Sequence, residues 1–227
     1  MRILTVIPLQ GELNRFLDGC AATGLQPEVD QIGKLPVLYL CDRALVVATG
    51  GLGKAQFAAQ TQHLIDSGPG WDLVICAGAA GALDDRLRVG DVVAGRETVE
   101  FDIRNRFGEP LLPRFASAAR VLDCLQHIQL GDKTFALHVG PIASGDEDVV
   151  EITRRAEIRA QTGALVTAWE GAGAARACSF SGVPFVEIRG VSDHAGETAP
   201  QDFVSNLPVA MGNVAAVVIE LVKVLSH

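Results

Sequence analysis

Short apolar runs alternate along this chain with longer segments in which apolar residues recur every three or four positions. The short runs predict buried strands, and the longer segments predict helices. The predicted strands are residues 3–9, 37–40, 44–48, 72–76, 89–94 after a turn, 134–139, 165–166 and 183–193. The predicted helices are one that begins at 13–17, then 56–65, 114–126, 149–160, one that opens within 167–173 and ends near 180, and 204–225. This alternation favours a central, mostly parallel or mixed sheet with helices on both faces.

Three carboxylates follow predicted strands. Asp193 ends the strand 183–193, Glu12 lies at the corner between the first strand and the first helix, and Glu170 follows a short strand. Ligands of open α/β sheets collect at the carboxyl ends of the strands, so we expect these side chains to meet in one crevice. Each carboxylate also has a structural explanation. Asp193 could cap a turn, and Glu12 could complement a helix dipole.

Two glycine-rich segments also follow predicted strands. Residues 49–55 invite a phosphate-binding interpretation, but Ala48 and Ala55 stand where a P-loop needs a glycine and a hydroxyl. The small residues of 77–82, which include Gly81, leave room for a flat ligand to lie against the backbone.

Composition limits the kinds of partner and the number of domains. The chain has 227 residues, of which 48% are apolar and 20% charged, and we expect one domain over 1–227. The formal net charge of −8 leaves no basic surface for a phosphate backbone, so we expect no nucleic-acid partner. A small or neutral ligand is the expected partner.

The sequence also predicts a cytoplasmic protein without disulfides. We find no run of about 18 apolar residues, so no membrane partner is expected, and the start lacks the apolar segment and cleavage site of a signal peptide. The five cysteines are odd in number and scattered, which predicts reduced core thiols and no metal site.

The motifs together resemble the purine nucleoside phosphorylase and nucleosidase superfamily, most closely its methylthioadenosine/S-adenosylhomocysteine nucleosidases. The resemblance runs nearly end to end and rests on Glu12 and on residues 51–55, 78–83, 89–93, 144–146, 169–172 and 183–193. It implies a three-layer α/β/α sandwich around a mixed sheet, hydrolysis of a purine nucleoside, a homodimer, and no metal or organic cofactor.

The resemblance also implies a role for each polar site residue. Asp193 matches the general acid that protonates N7 of the purine, and Ser192 orients its carboxyl group. Glu12 matches the base that activates the attacking water, Arg189 lies near that water, and Glu170 holds the ribose hydroxyls. Burial should keep a proton on Asp193, whereas Glu12, helped by Arg189, is expected to stay ionised.

The remaining implied residues line the pocket around the base. The backbone of Val149 faces the base, and Phe203 lines the pocket from the segment before the last helix. Trp169 is a candidate stacking surface, and core packing is its alternative explanation. The chain departs from the family at Ala79, where the family has a serine, and at Asp148, where it has an aromatic residue. Ala168 departs as well, because the usual Glu-Met-Glu is Ala168-Trp169-Glu170.

These departures keep several alternatives open. A substrate other than methylthioadenosine or S-adenosylhomocysteine, such as futalosine or an adenosyl-lipid precursor, fits a remodelled pocket. A carboxylate at residue 12 would repel phosphate, which favours hydrolysis over a phosphorylase reaction. A non-catalytic nucleoside-binding protein is the alternative from a different functional class.

Overall fold

The strands and helices alternate as the pattern predicts. The computed structural model describes residues 1–108, 111–131 and 134–226. Its strands are β1 (Ile3–Ile7), β2 (Glu28–Ile32), β3 (Leu35–Leu40), β4 (Leu45–Thr49), β5 (Leu73–Ala82), β6 (Val92–Glu100), β7 (Arg114–Ala116), β8 (Leu137–Ser144), β9 (Val166–Ala168) and β10 (Phe185–Asp193). Its helices are α1 (Gln10–Ala21), α2 (Gly53–Ser67), α3 (Ala119–His127), α4 (Ile152–Thr162), α5 (Gly171–Ser181) and α6 (Ala199–Leu225).

These strands form one mixed sheet with a closed part and an open part. The order is β10-β6-β8-β9-β5-β1-β4-β3-β2, with β7 paired to β6. Because β10 also pairs with β5, the strands β5, β10, β6, β8 and β9 close into a ring. The strands β1 and β4 continue from β5 in parallel, and β2 and β3 end the sheet as an antiparallel hairpin.

The alternation of side chains along β1 shows how the layers form. Ile3 and Ile7 point into a core that α1, α3 and α6 cover, whereas Leu4 and Val6 point into a second core under α2 and α5. Successive side chains of a strand face opposite sides, so an uninterrupted apolar strand requires a cover on both. The expected α/β/α sandwich is therefore confirmed.

Two element predictions were wrong. Residues 77–82 belong to β5, because β10 pairs with β5 from Val74 to Gly81. The predicted helix 114–126 is instead β7 followed by α3, because its first residues pair with β6. In both places a sheet neighbour distant in the sequence decided the structure.

Other boundaries differ by a few residues. The strand predicted as 134–139 is β8, which continues to Ser144. The helix α4 begins at Ile152 and not at 149, and α6 begins at Ala199 and not at 204. The earlier start of α6 is explained by Pro200 in its first turn, where a proline suits a helix.

Helix α6 is long and apolar on average, although polar residues interrupt it. By length and composition alone, Ala199–Leu225 is apolar enough to cross a membrane. One such helix is weak support for a membrane span, and half of its apolar window is buried inside the protein. Its buried side chains, such as Met211 and Val218, pack into the core shared with α1. This packing accounts for the composition of the helix.

The cysteines match the expectation from their spacing. All five are free thiols, with Cys20, Cys76 and Cys178 buried and Cys41 and Cys124 partly buried.

Candidate active site

Asp193 is the last residue of β10, and its carboxyl group is held from two sides. The β10–β5 register shifts between Val191 and Asp193, an irregularity of the kind that redirects a side chain. Oδ1 accepts the Ala195 N–H at 2.8 Å, and the Ser192 hydroxyl lies 2.7 Å from Oδ2. Burial raises the pKa of Asp193, and these two hydrogen bonds oppose the rise. Asp193 therefore caps the turn that follows it, as its structural explanation predicts.

Glu12 connects α1 to β5. Its Oε2 accepts the Leu9 N–H at 3.1 Å, which caps a helix whose Leu9 has no polar side chain for that purpose. Its Oε1 accepts the Ala79 N–H at 2.7 Å. Glu12 thus contacts a second segment while capping its own helix.

The ionisation of Glu12 differs from the expectation. Burial raises the pKa of Glu12 to about 7, and the Ala79 amide and Arg189 only partly oppose that rise. A group with such a pKa is only about half ionised at neutral pH. The expectation that Glu12 stays ionised was therefore wrong, because the loss of hydration outweighs the attraction of Arg189.

Arg189 lies in the centre of a buried group of acidic side chains. Its Nε donates to Glu187 Oε1 at 2.8 Å, and its Nη2 lies 3.4 Å from Glu170 Oε2. Glu170 also accepts the Gly53 N–H at 3.3 Å, and burial raises the pKa of Glu170. Arg189 forms its ion pairs with Glu187 and Glu170 and not with Glu12.

The sequence interpretation missed Glu187, although a signal was present. Glu187 and Arg189 are two residues apart in an otherwise apolar strand, so both side chains point to the same side of the sheet. Both are almost fully buried. Two opposite charges in such a pattern indicate a buried ion pair.

A cavity of about 480 Å³ opens at the carboxyl ends of β5, β9 and β10. All nine residues predicted for the site line it: Glu12, Gly81, Val149, Trp169, Glu170, Arg189, Ser192, Asp193 and Phe203. The departures from the family line it too, namely Ala79, Asp148 and Ala168. Pro8, Leu9, Leu52, Glu147, Thr167 and Pro200 complete much of the wall and had not been predicted.

Trp169 and Ala79 are two positions where the chain departs from the family, and the backbone of each still forms a hydrogen bond within the site. Trp169 is partly buried in the cavity wall, and its carbonyl accepts the Ser144 hydroxyl at 2.7 Å. Its place in the wall favours ligand contact over core packing. Ala79 has no hydroxyl, but its N–H still binds Glu12.

The described residues offer no metal centre. Within 1–108, 111–131 and 134–226, no group of three or more His, Cys, Asp or Glu side chains could hold a metal ion. The expectation of a cofactor-free reaction stays a prediction.

Comparison with known proteins identifies the family. Residues 2–223 match the sequence profile of the phosphorylase superfamily. The chain belongs to the phosphorylase superfamily. Within it, the 5'-methylthioadenosine/S-adenosylhomocysteine nucleosidase of Tolumonas auensis is 32% identical over 193 residues, which span 81% of this chain and 83% of that protein. The resemblance inferred from the motifs is thus confirmed.

Solved structures of the superfamily have the same fold. The 5'-methylthioadenosine/S-adenosylhomocysteine nucleosidase of Neisseria meningitidis, in complex with methylthio-immucillin-A, is 30% identical with a TM-score of 0.84, and the match covers 99% of this chain and 100% of that one. The futalosine hydrolase of Helicobacter pylori has a TM-score of 0.85 at 22% identity, with 98% of this chain and 97% of that chain covered. At that identity the second likeness concerns the fold alone.

Proposed function

We propose that this protein is a purine nucleosidase that hydrolyses the N-glycosidic bond of a nucleoside such as 5'-methylthioadenosine or S-adenosylhomocysteine. The observation that carries the proposal is that two buried carboxyl groups, Glu12 and Asp193, line one cavity of nucleoside size. Family membership supports it, because the similar proteins are nucleosidases by name.

Asp193 is the proposed general acid. Cleavage of an N-ribosyl bond produces a ribose cation and a leaving base, and protonation at N7 makes that base a neutral leaving group. The raised pKa of Asp193 favours the protonated form that can donate. Ser192 and the Ala195 amide fix the plane of the carboxyl group, so the proton can be aimed at one ring nitrogen.

Glu12 is the proposed general base. A base works best when its pKa lies near the working pH, and burial brings the pKa of Glu12 to about 7. The ionised fraction accepts a proton from a water molecule that attacks the ribose cation. The Ala79 and Leu9 amides hold both carboxylate oxygens, which limits the directions from which that water can approach.

The other cavity residues are proposed to hold the nucleoside. Glu170 is a buried acceptor for ribose hydroxyls, and Trp169 and Phe203 offer aromatic faces for the base. Val149 presents its backbone to the base. Gly81 leaves space beside the acid, since a Cβ there would lie 2.8 Å from Asp193 Oδ1.

Water is favoured over phosphate as the nucleophile. Glu12 already occupies the Ala79 N–H, which a phosphate ion beside β5 would need. A phosphate ion there would also face the carboxyl groups of Glu12 and Glu170 across a buried space, where repulsion between like charges is strong. Hydrolysis is therefore the proposed reaction.

A nucleoside panel tests this function. Methylthioadenosine, S-adenosylhomocysteine, adenosine, inosine, futalosine and an adenosyl lipid are each incubated with the protein, with and without phosphate, and free base is measured. We expect base release that does not depend on phosphate and that survives treatment with a chelator. Ribose 1-phosphate as the product would instead indicate a phosphorylase. Tight binding without turnover of any nucleoside would indicate a non-catalytic binding protein.

The proposal includes a cytoplasmic homodimer built from one domain spanning 1–227. The apolar side chains of Leu9, Leu52 and Val204 are exposed, and Leu9 and Leu52 line the cavity. A second copy of the chain would shield them from water. Light scattering coupled to size exclusion should give twice the chain mass of 23.9 kDa, whereas a single chain mass would contradict the dimer.

A further inference from the structure

Glu187 is a fully buried carboxylate to which the proposed reaction gives no role. Its Oε2 accepts the Thr98 hydroxyl at 2.5 Å, and its Oε1 accepts Arg189 Nε at 2.8 Å. It also lies against Gly171, the first residue of α5, where any Cβ would collide with the carboxylate. These neighbours are a hydroxyl donor, a cation and a helix N-terminus, and each one stabilises a negative charge.

The position of Arg189 depends on Glu187. Its contact with Glu187 is the shortest, because its other nitrogens lie 3.4 Å from Glu170, 3.4 Å from Cys76 Sγ and 3.5 Å from the Ala79 carbonyl. A planar guanidinium held at Nε has little freedom to rotate. Glu187 therefore determines where the remaining donors of Arg189 point.

Gly78 marks the place where Arg189 and Glu12 come near each other. A Cβ on Gly78 would collide with Arg189 Nη1 and lie 2.9 Å from Glu12 Oε1, so both atoms border the same small space. A modest rotation of an unrestrained Arg189 would bring Nη1 towards Glu12. Such an ion pair would bind the carboxylate that must accept a proton from water.

We propose that Glu187 is a positioning residue that acts through Arg189: it holds the guanidinium towards Glu170 and offsets its charge, so that Glu12 stays free to accept a proton. This inference rests on the proposed role of Glu12 as the base. It differs from the proposed site residues because Glu187 does not line the cavity.

The charges around Glu12 predict the direction of the effect. Two charged groups face Glu12: Arg189 from β10 and Glu170 from the start of α5. The uncharged amides of Leu9 and Ala79 donate to it directly. The Cys76 thiol lies on β5 beside Arg189. Replacing Glu187 by Gln removes one negative charge and leaves the positive charge of Arg189 less compensated. Glu12 should then lose its proton at lower pH, and its basicity should fall.

The test measures the titration of Glu12 directly, by carbon NMR of protein labelled at the glutamate side-chain carboxyl carbon. The Glu12 signal is assigned as the one that Glu12→Gln removes. In Glu187→Gln we expect its apparent pKa to fall by about one unit or more. In Glu187→Asp, which keeps the charge, we expect a value within about half a unit of the wild type. An unchanged titration in a folded Glu187→Gln protein would overturn the proposal.

Kinetics supply a second readout. The acid limb of the pH profile of kcat/KM should move to lower pH in Glu187→Gln by the same amount as the NMR titration, and the kcat reached above that limb should fall about threefold while KM changes little. A merely structural role would lower the melting temperature or raise KM and leave the acid limb in place. That result would also overturn the proposal.

The test also covers a variant that does not fold and a wild type without activity. If Glu187→Gln does not fold, Glu187→Thr, which removes the charge with a smaller side chain suited to a strand, decides instead: a lower apparent pKa of Glu12 supports the proposal and an unmoved one overturns it. The NMR titration needs no turnover. A wild type inactive towards every nucleoside would therefore defeat the proposed function and still leave the titration of Glu12 to decide this inference.

Discussion

Side chains of the same chemical type have different environments in this site. Asp193 accepts hydrogen bonds from its own segment, through Ser192 and Ala195. Glu12 instead reaches from α1 to the Ala79 amide of β5. Burial raises the pKa of both carboxyl groups. The two environments differ in whether the hydrogen-bond donors come from the same segment or from a distant strand. Asp193 ends strand β10, Glu12 lies in the first turn of α1, and both line the same cavity.

Asp193→Asn tests the acid. The amide keeps an acceptor for the Ala195 N–H but cannot protonate a leaving base, so kcat should fall roughly 10²–10⁴-fold with little change in KM. Steady-state release of free base measures both constants. The neighbouring His194→Gln is the control, because His194 is exposed and should leave kcat within a few-fold. A kcat for Asp193→Asn close to that of the control would exclude Asp193 as the acid.

Gly78→Ala tests the space between Arg189 and Glu12. The added methyl group would press on Arg189 Nη1, on Glu12 Oε1 at 2.9 Å and on Pro8 Cδ at 3.2 Å, all within a packed site. A displacement of that size should lower kcat on the order of 10²-fold. Gly11→Ala is the matched control, because Gly11 adjoins Glu12 and its nearest neighbour would lie 4.0 Å away. Equal activities of the two variants would contradict this account.

Strand β10 is the element on which the site and the core both depend. It carries Glu187, Arg189, Ser192 and Asp193, and it pairs with β5 on one side and β6 on the other. Helix α6 packs across it at Gly190, where a Cβ would lie 2.5 Å from the Ala210 carbonyl oxygen. The close approach of α6 therefore requires a glycine between two of the site residues.

Gly190→Ala should move β10 and α6 apart. Overpacking of this kind costs about 1–3 kcal/mol of unfolding free energy, and the obstacle here is backbone that cannot rotate away. Urea unfolding measures the loss. Gly212→Ala, two residues beyond Ala210 in α6, has no neighbouring atom within 4 Å of its new Cβ and should be neutral or stabilising by up to about 1 kcal/mol. A Gly190→Ala protein as stable as Gly212→Ala would show that the helix adjusts.

The whole molecule holds its charged cluster at a cost in stability. The ring of β5, β10, β6, β8 and β9 shares β5 with the open part of the sheet, and the buried acids gather near that junction. Two apolar cores lie on either side of the sheet that carries these acids. The same burial that brings the pKa of Glu12 to about 7 must oppose folding once Glu12 is ionised.

The stability of the wild type should therefore depend on pH through Glu12. Its pKa is about 7 in the folded protein and 4.5 as the reference value, so the folded state binds the proton more tightly. The contribution of protonated Glu12 to the unfolding free energy is complete below pH 4.5 and is lost as the pH rises through about 7. The total loss is about 3 kcal/mol. Glu12→Gln lacks this dependence and should gain on the wild type by roughly that amount between pH 5 and pH 8. Urea unfolding of the two proteins measures this gain. The same difference in unfolding free energy between them at pH 5 and at pH 8 would contradict the prediction.

Much of this protein was determined by the sequence alone. The alternation of apolar runs predicted the layers, because an apolar strand and an amphipathic helix each require a specific kind of cover. The strand ends pointed to Glu12, Glu170 and Asp193, and the family resemblance supplied most of the other predicted residues; all nine line one cavity. Glu12 and Asp193 are 181 positions apart, yet each could be placed from its own local pattern, since the carboxyl ends of strands converge.

Tertiary structure decided what depends on neighbours distant in the sequence. The glycine-rich 77–82 forms a strand because β10 pairs with it, and 114–116 joins β6 for the same reason. The proposed role of Glu187 depends on Thr98, and the pKa of Glu12 depends on its burial and on the Ala79 amide, and no local pattern contains these contacts. Local patterns fix where a side chain starts, whereas hydration and charge depend on everything that packs around it.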